Sequence, residues 1–470
     1  MSIARRRAAT RWAVVLIPAV ALYFLPLPTL DPGQRHLLAI FVATIVSLVA
    51  QPLPMGACVV IAMTTLVLTK TLPAARALSG FSNPTVWLIF TAFLFARAIT
   101  ATGFGLRIAY LFVRRFGHSA LTLGYSVAAS DLALAPFVPS DTARGGGIIY
   151  PIARSLAQVF DSEPGPSSRR IGAFLMLTGF HTTYVGSAMF LTGMAANPLI
   201  AEFAGKIGHV ELTWLGWAIA SSVPGVLSLA IVPYLIYRLY PPEIRDTHAA
   251  QQHAMAELNR MGRLSGREQR LIVILAGVLA GWVTSPWHGF SNAFVALAGI
   301  SAILLARVLD WNELLTETKA WDALIWFAPL IMMADALVDS GVVKIVSGAI
   351  FARIGGWPWP VAAIVLACTY LYVHYGFASM TAQVTALYPG FLAAGLATGA
   401  PPLLMAFVLA FFSSLDAATT HYGTGSAPVY FGAGYVSQTD WWKLGFLISL
   451  VNLVIWLGVG SAWWKLLGLW

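Results

Sequence analysis

The chain has 470 residues, with 28 Lys or Arg against 19 Asp or Glu and a formal net charge of +9. Charged residues make up 10%, against roughly 25% in ordinary soluble domains, while hydrophobic residues reach 58% and mean hydropathy is +0.76. This excludes a soluble enzyme, a disulfide scaffold and a disordered linker. It leaves a polytopic helical membrane protein, because the apolar runs are continuous over roughly 15–25 residues and not the ~10-residue alternations of a barrel.

Arg5, Arg6, Arg7 and Arg11 precede an apolar run from Trp12 to Leu27. No small-residue cleavage site follows, only Pro26, Pro28 and Pro32, so the run is read as a retained first span behind a cytoplasmic N-terminus. Spans are expected at 36–52, 55–72 and 86–113. Residues 119–160 break the pattern. Two half-length apolar pieces flank Ser140-Asp141-Thr142-Ala143-Arg144 and three glycines, which reads as a re-entrant hairpin. Non-helical backbone at membrane depth is tolerated where protein or water covers it, and there it lines a site. Spans at 171–203 and 213–238 follow.

A polar loop, 241–269, carries Arg245, Arg260, Arg263 and Arg267 and is assigned to the cytoplasm. Beyond it lie spans at 270–286, 291–309, 323–350, 403–434 and 441–467, with a second hairpin at 358–397. The total of about eleven spans puts the C-terminus outside. Basic residues sit in short loops beside spans, which argues against nucleic acid. Cys58 and Cys368 both lie in apolar segments, so neither a disulfide nor a metal centre is expected, and no cofactor.

The two halves share an order of landmarks. Trp87-Leu88-Ile89-Phe90, Ala101-Thr102-Gly103 and Arg114-Arg115-Phe116-Gly117 are echoed by Trp326-Phe327, Asp339-Ser340-Gly341 and Arg353-Ile354-Gly355. Ser140-x-Thr142 with Tyr150-Pro151 is echoed by Ser379-x-Thr381 with Tyr388-Pro389. Thr192-Gly193 to Asn197-Pro198 is echoed by Tyr422-Gly423 to Ala427-Pro428. Each half holds an odd number of crossings, so the halves are read as inverted-topology repeats at 33–240 and 270–470. Residues 1–32 are an extra first span, and 241–269 a linker. Arg97 and Asp335 occupy matching places and are expected to neutralise each other.

A half-helix that starts at a hairpin tip exposes unpaired N–H groups and its positive dipole end, where an anion settles. Ser140, Thr142, Ser379 and Thr381 add hydroxyl donors, and two facing tips would hold two carboxylates of one small molecule. Arg144 is a candidate carboxylate ligand, since an intramembrane cation is a functional hypothesis by default. Its alternative is an ion pair with Asp141. Gly193 and Asn197 at the first break, with Thr424 and Ser426 at the second, supply further polar groups. His421 is a candidate ligand or proton site. His181, Asp131, Asp416 and His374 read as structural or rim residues. No His-x-x-x-His or Asp-Asp-x-x-Asp cluster appears, so no enzyme is expected.

The segments SDTARGGGIIYPI from Ser140, SAMFLTGMAANPL from Ser187, ASMTAQVTALYP from Ala378, THYGTGSAPVYFGAGYV from Thr420 and YPPEIRDT from Tyr240 resemble the divalent anion/sodium symporter (DASS) family. They are most similar to its dicarboxylate and citrate exchanger branch. The resemblance implies an all-α, eleven-span, two-hairpin homodimer of the inner membrane, in which a mobile unit moves against a fixed scaffold like an elevator. It implies tips that bind substrate carboxylates and an Arg144 that takes the place of sodium. The substrates implied are small di- or tricarboxylates of the 2-oxoglutarate, malate, succinate or citrate type. Asp141 stands where Asn is usual, and Gln383 where exchangers carry His, which removes a second cation. A dianion entering against 100 mV meets about 4.6 kcal/mol, so coupling is required. The expected coupling is sodium-independent anion exchange; the alternative is sodium- or proton-coupled symport.

Overall fold

The structure is a computed structural model that describes residues 3–25 and 29–470, with side chains from Thr10 onward. The prolines Pro26 and Pro28, the end of the expected first span at Leu27, and the side chains of Arg5, Arg6 and Arg7 lie outside the described residues. Among the described residues the elements are helices, with no strand. Seven are long and apolar enough to cross a membrane: Pro32–Ala50, Pro84–Thr102, Trp214–Leu239, Thr318–Asp339, Trp359–Gly376, Pro402–Thr419 and Gln438–Leu466. Shorter apolar helices, among them Met55–Leu68, Ala120–Leu134 and Asn292–Leu305, lie between them.

Local chemistry sets the ends. Asp31 accepts from the Gln34 N–H at 2.8 Å while the Gln34 side chain returns a bond, and Ser265 with Glu268 repeats this capping box. Prolines 84, 198, 402 and 428 each stand in the first turn of a helix, where the missing N–H costs nothing.

Two expected spans are each broken in two. Residues 86–113 form Pro84–Thr102 and Phe104–Phe116, divided by Gly103 at φ 76°. Residues 323–350 become Thr318–Asp339 and Val342–Ile354, divided by Gly341 at φ 79°. Glycine takes the left-handed conformation without a Cβ penalty, so it turns the chain there.

The 241–269 loop is ordered where a plain linker was expected. It contains the helix His248–Met261, which packs on Phe104–Phe116. Arg107 ties the two together, donating to Glu268 at 2.6 and 3.2 Å and to the Gly262 carbonyl at 2.9 Å.

Arg97 and Asp335 do not pair. Asp335 is held by Lys206, which also bonds Glu202 at 2.8 Å, and Glu202 accepts from Asn83 at 2.6 Å. Asp335 therefore lies by the Asn83 end of the helix that carries Arg97. At 1.5 Å per residue, Arg97 is about 20 Å farther along.

The helix Gly172–Met189 is buried along its whole length and forms the centre of the molecule with Pro402–Leu415. Gly445 on Gln438–Val454 lies against the Ala418 carbonyl, with no room for a Cβ. Gly445→Ala is expected to cost about 1–3 kcal/mol through overpacking, read as a lower thermal unfolding midpoint in detergent. An unchanged midpoint would show that this contact yields freely.

Candidate functional site

Two hairpins and two helix breaks converge. The first hairpin runs down Ala120–Leu134, turns at 135–141 and returns through a π-helical stretch, Thr142–Ile149, into Tyr150–Val159. The wide π turn contains Gly145, Gly146 and Gly147. A Cβ on Gly145 would come within 2.6 Å of Thr183, so glycine lets the hairpin close on Gly172–Met189. The second hairpin runs from Trp359–Val373 through the turn His374–Gly376 to Met380–Ala397. The breaks lie at 190–196, before Asn197–Gly208, and at 420–426, before Ala427–Gly432.

All four meet at one cavity of about 310 Å³. Ser140, Asp141 and Thr142 line it from the first tip, and Ser379, Met380 and Thr381 from the second. Met194 and Ala195 come from the first break, Thr424 and Gly425 from the second. Both tip serines are also helix caps. Ser140 Oγ accepts from the Ala143 N–H at 3.2 Å, and Ser379 Oγ from the Ala382 N–H at 3.3 Å. A hydroxyl that accepts through its oxygen keeps its hydrogen to donate, so capping and anion binding are compatible.

Asp141 does not pair with Arg144. Its Oδ2 accepts from the Thr424 hydroxyl and, at 2.8 Å, from the Ser426 hydroxyl. The first tip is thereby fastened to the second break. Gly425 is the residue that permits the crossing, because a Cβ there would run into the Thr142 hydroxyl.

Arg144 is fully buried and does not line the cavity. Its Nε donates to both oxygens of Asp131 at 3.0 and 3.1 Å. Nη1 donates to the carbonyls of Val138 at 2.8 Å and Gly193 at 3.0 Å. Nη2 donates to the Thr183 carbonyl at 2.8 Å and Ser187 Oγ at 2.7 Å. A guanidinium has five N–H groups, and all are engaged within the protein. Gly186 makes room for the pair: a Cβ there would come within 2.9 Å of Asp131 Oδ2. The residue expected to grip a substrate carboxylate thus pins the first hairpin to the first break, and the neighbouring Asp131, read as structural, is its counter-charge.

The remaining candidates fall behind the wall. Gly193 contributes its carbonyl to Arg144. Asn197 Nδ2 donates to the carbonyls of Ser187 and Phe190, both at 2.9 Å, and holds the first break open. Gln383 is buried, bonded to His374 and to the Tyr370 carbonyl. His421 accepts from Trp442 Nε1 at 2.9 Å among aromatic rings and stands apart from the cavity. Two charged lining residues, Lys319 and Asp322, went unread in the sequence. They open the helix Thr318–Asp339, a few residues before the expected start of that span at 323, where polarity in a helix start resembles polarity in a preceding loop.

Over residues 6–470 the chain matches the family described as the sodium:sulfate symporter transmembrane region. YflS of Bacillus subtilis (strain 168), provisionally named a malate transporter, is 47% identical over 97% of this chain and 98% of that protein. Dicarboxylate transporter 1, chloroplastic, of Arabidopsis thaliana is 44% identical over 96% of this chain and 81% of its own length. The citrate/succinate antiporter of Escherichia coli (strain K12) is 35% identical over 97% of each. In fold, the chain resembles the YdaH transporter of Alcanivorax borkumensis at a TM-score of 0.59, with 16% identity, over 87% of this chain and 89% of that one.

Proposed function

This chain belongs to the divalent anion/sodium symporter family, a family of multi-pass membrane transporters and not of enzymes, and we propose that it carries small di- and tricarboxylates by sodium-independent anion exchange. The observation that carries the reading is the convergence of the two Ser-x-Thr tips on one cavity of about 310 Å³. That is the small end of the ~300–1,000 Å³ range of ligand pockets, as suits a compact acid. The tips offer helix N-termini and hydroxyls at two ends, matching two carboxylates. The relatives' names, a malate transporter, a dicarboxylate transporter and a citrate/succinate antiporter, support the same substrate class.

Two arguments favour exchange without sodium. The antiporter name of one relative is the first. The second is local: Asp131, Val138, Thr183, Ser187 and Gly193 supply an oxygen cage in which a cation would sit, and Arg144 saturates it. Arg144 is paired with Asp131 without substrate, so the empty carrier holds no unpaired cation at this position. Proton coupling is the alternative that one observation favours, since the Asp141 carboxylate lines the cavity.

In this reading 33–240 and 270–470 are inverted repeats and the homodimeric scaffold stays fixed while hairpins and breaks move. The N-terminus lies in the cytoplasm and the C-terminus outside. The recurrence of Gly103 with Gly341, and of Gly193 with Gly423, supports the repeat. The cavity side bearing Gln51, Lys319 and Asp322 then faces the cytoplasm, and the Asn83–Glu202–Lys206–Asp335 chain closes the opposite side.

Counterflow in proteoliposomes tests the reading. Labelled succinate, malate, 2-oxoglutarate and citrate are expected to enter only against an internal carboxylate, at a rate indifferent to replacing sodium by potassium. Uptake into empty vesicles driven by a sodium gradient would contradict exchange, and no uptake of any of these acids would contradict the substrate class.

A further inference from the structure

We infer that His374 is a doubly protonated imidazolium, paired with the Asp416 carboxylate, that polarises the Gly423–Thr424 peptide at the wall of the anion cavity as Arg144 polarises the Gly193–Met194 peptide. The inference rests on the proposed anion substrate for its purpose, but its geometry stands alone.

His374 is completely buried at the turn of the second hairpin. Its Nε2 lies 2.8 Å from the Gly423 carbonyl, which can only accept. Its Nδ1 is hydrogen-bonded to Gln383 Oε1. The orientation of that amide is set from the other side, because Gln383 Nε2 donates to the Tyr370 carbonyl at 2.8 Å. Both ring nitrogens therefore meet acceptors. A neutral imidazole has one N–H and would press a lone pair against one of these oxygens; the imidazolium has two N–H groups and satisfies both.

A second observation is independent of the ring. Asp416 is completely buried, and its carboxylate meets no side-chain donor at hydrogen-bond distance, the adjacent Ala417 N–H being its near backbone donor. Its Oδ2 lies 3.5 Å from His374 Nδ1, and among the described residues no other cationic nitrogen comes within 4 Å. A buried carboxylate needs a counter-charge, and the imidazolium is the group placed to supply it. The other groups facing the ring are neutral. Met380–Ala397 presents Gln383, the second break presents the Gly423 carbonyl, and the Phe377 ring stacks at 6.5 Å between centroids.

The arrangement mirrors that of the first half. Arg144 holds the Gly193 carbonyl and His374 the Gly423 carbonyl, and these glycines occupy the same place in the two break motifs. The next residue in each case, Met194 or Thr424, lines the cavity. A cation on a peptide oxygen polarises that peptide, whose N–H belongs to the cavity-lining residue. The donors have exchanged positions between halves. In the first half the cation is on the returning arm of the hairpin, and in the second half on the entering arm, with Gln383 in the place of Arg144. The acid has moved too, for Asp416 precedes Gly423 by the same interval as Gly186 precedes Gly193. The second charge that Gln383 was expected to remove is supplied nine residues earlier.

The test is nitrogen-15 spectroscopy of histidine-labelled full-length protein at neutral pH, with the His374 signals identified by their loss in His374→Gln. Two protonated ring nitrogens are expected, and the pattern of a neutral tautomer would overturn the inference. Asp416→Asn serves if His374→Gln does not fold: the histidine signal it shifts identifies His374, and the pattern of a neutral tautomer at that signal in the wild-type protein would overturn the inference. In proteoliposomes, His374→Gln with an unchanged size-exclusion profile is expected to raise the dicarboxylate KM at least tenfold; a wild-type KM would overturn the role in binding. If the wild-type protein moves no dicarboxylate, the proposed function fails while the spectrum still decides the charge on His374.

Discussion

Arg144→Ala is expected to abolish dicarboxylate uptake and to destabilise the protein by about 3–5 kcal/mol, the cost of breaking a buried ion pair by removing one partner. The magnitude follows from the surroundings. Arg144 and Asp131 are both completely shielded from solvent, and the guanidinium is the only cation paired with that carboxylate among the described residues. Removing it leaves Asp131 unpaired and frees the carbonyls of Val138, Thr183 and Gly193 without donors. Stability and transport are separable. Arg144→Met combined with Asp131→Leu removes both charges and is expected to regain much of the stability, read as the thermal midpoint. It is expected to remain inactive, because nothing then holds the Gly193 carbonyl at the first break. Wild-type uptake by either variant would refute the fixed-cation account.

Asp141→Asn carries the second large expectation, with the opposite sign. Asparagine keeps an acceptor for the Thr424 and Ser426 hydroxyls, so the junction between the first tip and the second break survives. What changes is the charge beside the substrate. Two unit charges about 6 Å apart at an effective dielectric of about 20 interact by up to about 3 kcal/mol. Removing that repulsion is expected to lower KM for dianions tenfold or more and to favour citrate over succinate. Concentration-dependent uptake of both acids, measured across pH, checks this. An unchanged KM ratio and an unchanged pH profile would dismiss Asp141 as a determinant of specificity.

The parts of the site written as backbone chemistry were readable in the sequence. Ser-x-Thr with glycines marked the first tip, Ser-x-Thr with Tyr-Pro the second, and Gly-to-Asn-Pro or Gly-to-Ala-Pro the breaks, because glycine and proline constrain the chain wherever they stand. Side-chain direction was not readable. Nothing in the spacing shows that Arg144 turns away from Asp141 and toward Asp131, since the choice depends on how the two arms of the hairpin pack. The same holds for Asp335, whose partner Lys206 is 129 residues distant. His374 reads from the sequence only as a structural or rim residue, because its bond to Gln383 exists only once the hairpin has folded. Lys319 and Asp322 were lost for a different reason: polarity at a helix start cannot be told from polarity in the preceding loop.

The most direct measurement is a structure solved with a bound dicarboxylate such as succinate or malate. The account predicts the molecule inside the cavity, one carboxylate within hydrogen-bond distance of Ser140 or Thr142 and the other of Ser379 or Thr381, with Arg144 still on Asp131. A ligand held at one tip alone, or bound outside the cavity, would contradict it.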